Sequence, residues 1–494
     1  MNRRWFLQRA TAAGVSVSAA AAAAGLTGCA RNALAQRSAS LQGSESLKSP
    51  VSMSLEALLT DTQRRTFNYF WQTTDAARGL APDLGPEPAP ASIAAMGFAF
   101  TAVPIGIEHS WITRVDAAQR VRRWLQFLWD APQGIQAKGM SGYHGFFYHF
   151  LEMETGTRFR DSELSTVDTA LLLMGVRFCG QYFTGTAPDE AAIRGLVDSL
   201  CDRVDWNWAQ ANGSGVTLGW RPETGFMAYD WVGYNEGMMI YLLALGSKTH
   251  PVGPEAWKVW TRGYDAAWGK IQGIEHLTFG PLFGHQFTQV WVNLRGIADA
   301  YMKARGLDYF ENSRRAVLSQ RAYAIANPLG WDGYGADVWG VSACDGPGTI
   351  ALPYRGKIRE FHDYAGRGVG VHPEENYDDG TLTPSAALGS LPFAPELATA
   401  ATATMYRRFG AVIYGEYGFL DSFNPSFKYD VPLRSGRRVE DLGWVDTRYY
   451  GITQGPIVAM IENQRSGLIW RVMQGDPVIR SGLQRAGFTG GWLS

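Results

Sequence analysis

Six stretches of the chain cluster carboxylates, most of them beside aromatic residues and glycines. They are Asp161-Ser162-Glu163 running on to Asp168, Tyr229-Asp230-Trp231 running on to Glu236, Asp332-Gly333-Tyr334 running on to Trp339, Tyr377-Asp378-Asp379-Gly380, Phe419-Leu420-Asp421-Ser422-Phe423-Asn424, and Trp444-Val445-Asp446. Two carboxyls facing one another can cleave an acetal, one protonated as acid and one ionised as base or nucleophile. Aromatic walls desolvate the acid, which raises its pKa, and offer flat apolar faces to a sugar ring. Any one cluster also fits a helix cap or a solvated loop acid. Six of them, all in or beside long loops, point to a site.

Other chemistries lack their residues. The sequence has no GxxxxGK phosphate loop, no HExxH, no paired CxxC and no GxSxG. His144 and His149 stand five apart, which is not a helix-face pair, so aromatic packing or a sugar hydrogen bond suits them better than a metal. No cofactor and no metal are expected. With 45 Lys and Arg against 46 Asp and Glu, nothing marks a nucleic-acid binder. The 18 Trp, 21 Tyr and 24 Phe fit a large aromatic core or sugar platforms equally well. Cys179, Cys201 and Cys344 have no metal spacing and are expected as free thiols, with a Cys179–Cys201 bridge left open.

The first residues read as an address. Arg3-Arg4-Trp5-Phe6-Leu7 has the twin-arginine pattern, and Leu26-Thr27-Gly28-Cys29 reads as a lipobox. The expectation is a Tat signal peptide over 1–28, then acylation of Cys29 and a Ser/Gln-rich tether over 29–50. No Asp follows Cys29, which favours the outer membrane over inner-membrane retention. The protein would then face the periplasm, tied to the membrane by its lipid, as a monomer.

The body, 51–494, must position the acids. Helical periodicity starts at Leu55 and recurs near 91–108, 113–130, 164–184, 188–204, 234–247, 254–271, 287–305, 311–326, 396–409, 453–463 and 466–486. Strand alternation is scarce. About twelve helices, alternately more apolar and more amphipathic, predict one all-α domain, an (α/α)6 toroid. The long Gly-, Trp- and Tyr-rich links at 205–233, 272–286, 328–383 and 410–452 would build a cleft at one end.

From about residue 55 to 488 the chain resembles the bacterial glycoamylase-like family, whose characterised members include the β-1,2-glucanases of glycoside hydrolase family 144. The resemblance rests on Gln63–Trp71, Gly145–Leu151, Glu163–Leu172, Gly233–Glu236, Pro281–Gln286, Tyr309–Ala316 and Gly389–Pro395, in order. It implies the same toroid and an inverting mechanism without a metal. It implies Glu236 as general acid and Asp421 as base, with Asp446, Asp168 and Glu163 as rivals for the base. Glu163, Asp168, His149, Tyr234, Trp231, His285 and Asp446 would then bind substrate. Asn293 and Thr453 stand where relatives are expected to carry Asp, which alters the electrostatics there.

The leading reading is a hydrolase of β-1,2-glucan or a related β-glucan. The alternatives are a lipid-anchored glycan-binding protein without turnover, and the same fold acting on another glucan.

Overall fold

The computed structural model describes residues 53–372 and 376–494. The twin-arginine segment, Cys29 and the tether lie outside the described residues. Among the described residues no helix is long and apolar enough to cross a membrane.

Amphipathic and apolar helices alternate in six pairs. These are α1 (Leu55–Thr73) and α2 (Ile93–Glu108), α3 (Arg114–Asp130) and α4 (Thr166–Tyr182), α5 (Pro188–Asp202) and α6 (Met238–Gly246), α7 (Glu255–Trp260) and α8 (Phe283–Trp291), α9 (Tyr309–Ala326) and α10 (Pro384–Leu388), and α11 (Pro395–Ile413) and α12 (Gly451–Arg465). A last helix, α13 (Pro477–Arg485), packs on α6. The first member of a pair buries one stripe, as α3 does with Ala117, Val121, Trp124, Leu125 and Leu128. The second is buried nearly all round: every residue of α6, α8 and α10 is buried.

The buried helices pack mainly on one another, α2 on α4 and α12, α4 on α6, and α12 on α8 and α10. Gly97 and Gly175 allow α2 and α4 to touch backbone to backbone. A Cβ on Gly175 would lie 1.9 Å from the Gly97 carbonyl oxygen. Side-chain caps fix several helix starts: Ser92 accepts from Ala95 N–H, and Ser165 from Asp168 N–H.

Strands are numerous but short. Among the described residues twenty of them, two to five residues each, form nine small sheets of two or three strands. Ladders this short carry no readable alternation, which is why the sequence shows little strand signal. Their placement matters more than their size. β2 (Ala91–Ser92), β6 (Leu164–Ser165) and β20 (Tyr449–Tyr450) each lead directly into a buried helix. β20 pairs with β1 (Leu84–Gly85), β2 with β5 (Phe150–Leu151), and β6 with β7 (Gly219–Arg221). These three small sheets therefore gather at the N-terminal ends of α2, α4 and α12.

Several expected helices are corrected. The 254–271 segment breaks at Gly263, whose φ of 108° no helix tolerates, and ends in a hairpin, Trp268–Ile271 against Ile274–Leu277. The 287–305 segment is α8 ending at Trp291, then a separate turn at Ala300–Ala304 capped by Asp299. The 466–486 segment splits at Asp476-Pro477, where a new helix is capped. α10 lacks enough length to show a period. The long loops build a second small core from Trp331, Tyr354, Phe361, Phe427 and Trp444. Cys179, Cys201 and Cys344 are free thiols.

Candidate active site

An open cleft of about 560 Å³ lies where these small sheets meet. Its walls carry the acids Asp83, Asp161, Glu163 and Asp345, the arginines Arg160, Arg221, Arg434 and Arg448, and the rings of His149, Phe150, Phe159, Tyr364 and Tyr450. β1, β5, β6, β7 and β20 lie in or directly beside these walls.

One side of the cleft is a hydrogen-bonded array. His149 Nδ1 lies 3.0 Å from Glu163 Oε1, and its Nε2 lies 3.7 Å from Asp168 Oδ2. Arg221 donates from Nη2 to Glu163 Oε2 at 3.3 Å. The His149 ring stacks on Phe150 at 3.9 Å. The Ser165 hydroxyl donates to the same oxygen of Asp168, Oδ2. Glu163 and Asp168, five apart in sequence, thus converge on one imidazole because the strand-to-helix turn at Ser165 folds between them.

The opposite side is a layered cluster of acids. Asp345 faces the cleft and pairs with Arg448 Nη2. The backbone N–H of Asp345 donates to Asp421 Oδ2 at 2.8 Å, and the Thr453 hydroxyl donates to Asp421 Oδ1 at 2.8 Å. Asp446 Oδ1 accepts from the N–H groups of Thr447 and Arg448, at 2.7 and 3.2 Å, and from Arg448 Nε at 3.1 Å. Asp421 and Asp446 are 1% and 0% exposed. Burial pushes the Asp421 carboxyl up to about 7 against the pull of Thr453 and Arg367. Burial first, and then the Asp421 charge, pushes Asp446 up to about 8.

Glu236 stands in the turn just before α6, 6% exposed, with Gly237 N–H held by Asn235 Oδ1 at 2.8 Å. Neither Glu236 nor Asp421 is among the residues lining the cleft. The aromatic candidates have protein neighbours. Trp231 is buried and donates its indole N–H to Thr166 Oγ1 at 3.0 Å. Tyr234 stacks on Tyr309 with centroids 5.7 Å apart. His285 is buried, with Nε2 3.2 Å from the Phe279 carbonyl oxygen, and burial lowers it to about 3, so it is neutral. These three rings are buried and do not line the cleft.

Asp83, Asp345, Arg221 and Arg448 are cleft residues that the sequence did not single out. Asp345 sits in Ala343-Cys344-Asp345-Gly346, without the aromatic neighbour that most of the other candidate acids have. The turn signal Asp345-Gly346-Pro347-Gly348 was the one clue. Among the described residues, no group of three His, Cys, Asp or Glu is placed to hold a metal.

Comparisons with known proteins cover up to 90% of the chain. Residues 228–477 match the Glycoamylase family model, described as putative glucoamylase. The chain is 27% identical over 465 residues to an exo β-1,2-glucooligosaccharide sophorohydrolase of Parabacteroides distasonis; the match covers 88% of this chain and 58% of that protein. A solved putative glucoamylase from Bacteroides uniformis is 31% identical, with a TM-score of 0.75, over 90% of this chain and 100% of that one. An endo-β-1,2-glucanase from Chitinophaga pinensis, solved with sophorotriose and glucose, is 28% identical with a TM-score of 0.76, again over 90% and 100%. A family model spanning half of the sequence, and a solved relative at 31% identity matched end to end, place this chain in the glycoamylase-like family of glycoside hydrolases.

Proposed function

We propose that the chain hydrolyses β-1,2-glucan, or a related β-glucan, by a single displacement with inversion. The observation that carries this reading is the cleft itself, where carboxyls and aromatic rings share the walls. A sugar needs both: hydrogen-bond acceptors for its hydroxyls and flat apolar surface for its ring faces. The relatives named for β-1,2-linked glucans support the substrate class. The alternation of six amphipathic and six buried helices supports an (α/α)6 toroid as the scaffold.

In this mechanism the general acid is Glu236, a role that rests on the family resemblance and not on the cleft lining; it gives its proton to the glycosidic oxygen as the bond to the anomeric carbon breaks. Water attacks that carbon from the opposite face and loses a proton towards Asp421. Because Asp421 lies under the cleft floor, beneath Asp345, a hydroxyl or a second water passes that proton on. Glu163, His149 and Arg221 hold substrate hydroxyls on the facing wall. Export by the Tat route and a lipid anchor at Cys29 would put this chemistry on the periplasmic side of the outer membrane. The motifs at Arg3-Arg4 and Leu26–Cys29 support that location.

Product analysis tests the reading. The purified protein is incubated with linear β-1,2-glucan and, separately, with starch. Short β-1,2-oligosaccharides released with inverted anomeric configuration are expected from the first. Binding of glucan without any cleavage makes the protein a glycan-binding relative instead, and cleavage of starch alone moves the substrate.

A further inference from the structure

The acids beneath the cleft floor outnumber the cations that face them. Asp421 and Asp446 are buried there, Asp345 is buried in the floor itself above Asp421, and Asp83 and Glu87 are nearby. Arg448 reaches Asp345 and Asp446, and lies 3.9 Å from Glu87. Arg367, the cation that acts on Asp421, is already committed, and Arg434 in the cleft wall pairs with Asp363 at 2.9 Å. Arg367 gives Nε and Nη2 to Asp379 at 2.7 and 2.8 Å, and it also donates to the carbonyl oxygens of Cys344, His362, Asp363 and Ala365 and to Cys344 Sγ. Tyr69, Tyr450 and Cys344 also face the cluster, but burial keeps each of them protonated and neutral. One guanidinium cannot balance three buried carboxylates. Groups in that position keep a proton instead of a charge.

The hydrogen bonds say which carboxyl keeps it. Both oxygens of Asp421 already accept, one from a backbone N–H that cannot reverse and one from Thr453. A proton on Asp421 would have to displace or turn one of these donors. Asp446 receives all its donors on Oδ1, and its buried Oδ2 has no hydrogen-bond partner. A proton on that oxygen breaks nothing, since Oδ1 goes on accepting as the acid's carbonyl. The two residues are tied by the strands between them, with Asp446 N–H donating to Ser422 O at 3.0 Å and Asp421 N–H to Arg448 O at 3.0 Å.

We propose that Asp446 is a positioning residue that stays a neutral acid, protonated on Oδ2, and thereby leaves Asp421 as the single ionised member of the pair. The rivalry between the two as base is resolved by charge: Asp421 receives the proton from water, and Asp446 carries one that never leaves during turnover. This inference rests on the reading of Asp421 as the base. The pair titrates as a unit, so the observable is the pair's proton and where it sits.

Infrared difference spectroscopy on the folded protein tests it apart from catalysis. The wild type should show a carboxylic-acid C=O band at pH 7 that titrates away near pH 8. Asp446→Asn should lose that band. Asp421→Asn should keep it, an arm that does not depend on the folding of Asp446→Asn. The amide of Asp446→Asn retains an oxygen for the N–H groups of Thr447 and Arg448, so the loop is expected to hold. On glucan, Asp446→Asn should fall by about tenfold through a displaced Asp421, against ~10²–10⁴ for Asp421→Asn. A band that survives Asp446→Asn and disappears in Asp421→Asn overturns the assignment. So does a rate loss in Asp446→Asn equal to that of Asp421→Asn. If the wild type never cleaves glucan, the mechanism fails while the infrared arms still locate the proton.

Discussion

His149 Nδ1 and Glu163 Oε1 lie 3.0 Å apart in the cleft wall, with Arg221 on the other oxygen of the same carboxylate. Glu163 is therefore held as an acceptor pointing at one place, and its charge is shared with two donors. Glu163→Gln keeps the size and loses the ionic part of both contacts. The expected result is a rise of roughly 10-fold in KM for β-1,2-glucan, the worth of one charged hydrogen bond. kcat should change much less. Steady-state kinetics on glucan check this, and an unchanged KM would remove Glu163 from the binding wall.

Glu236→Gln retains hydrogen bonding but has no proton to give. Its turnover on glucan should fall by ~10²–10⁴. An aryl glycoside with an activated leaving group, where accepted, should lose far less, because that group departs without protonation. Equal losses on both substrates would assign Glu236 a structural task.

The buried acids couple stability to pH. Asp421 and Asp446 are both pushed up, to about 7 and about 8, from an ordinary value of 3.8. Between those limits the folded chain holds more protons than the unfolded one. Their contribution is thus fully present below pH 4 and is lost as pH rises through 7 to 8. Replacing one acid by an amide removes part of that loss. The melting temperature of Asp446→Asn, relative to wild type, should improve by ~2–4 °C between pH 4 and pH 8. Parallel Tm curves across that range would contradict the raised proton affinities.

Arg177 and Asp476 form an ion pair at 2.7 Å with side chains 2% and 0% exposed. Asp476 also caps α13, accepting from Val478 and Ile479 N–H at 2.9 Å each. Asp476→Ala leaves the Arg177 charge buried and the cap open. A loss of about 3–5 kcal/mol is expected in denaturant unfolding. Asp476→Asn, which keeps the cap acceptor, should lose less than Asp476→Ala.

Cys29→Ser tests the proposed lipid anchor. The variant should move from the membrane fraction into the soluble periplasmic fraction. Unaltered membrane retention would show that some other feature holds the protein there.

Much of the scaffold was written locally. The apolar run of α2 and the stripe of α3 are properties of neighbouring residues, and caps such as Ser92 and Ser165 need only three residues of context. The sequence alone therefore located most helices, the alternation of buried and amphipathic ones, and the acids on the loops between them. The tertiary structure decided what no short window contains. It brought Asp345 to Asp421 across 76 residues and Thr453 to Asp421 across 32. It buried Trp231, Tyr234 and His285 away from the cleft, although the family resemblance had marked them for a sugar site. It also put Asp421 and Asp446 under one floor, with Arg367 committed to Asp379 and Arg448 left to face them. Periodicity is set by bonded neighbours, whereas the charge state of a carboxyl is set by how much water and which charges the rest of the chain leaves around it.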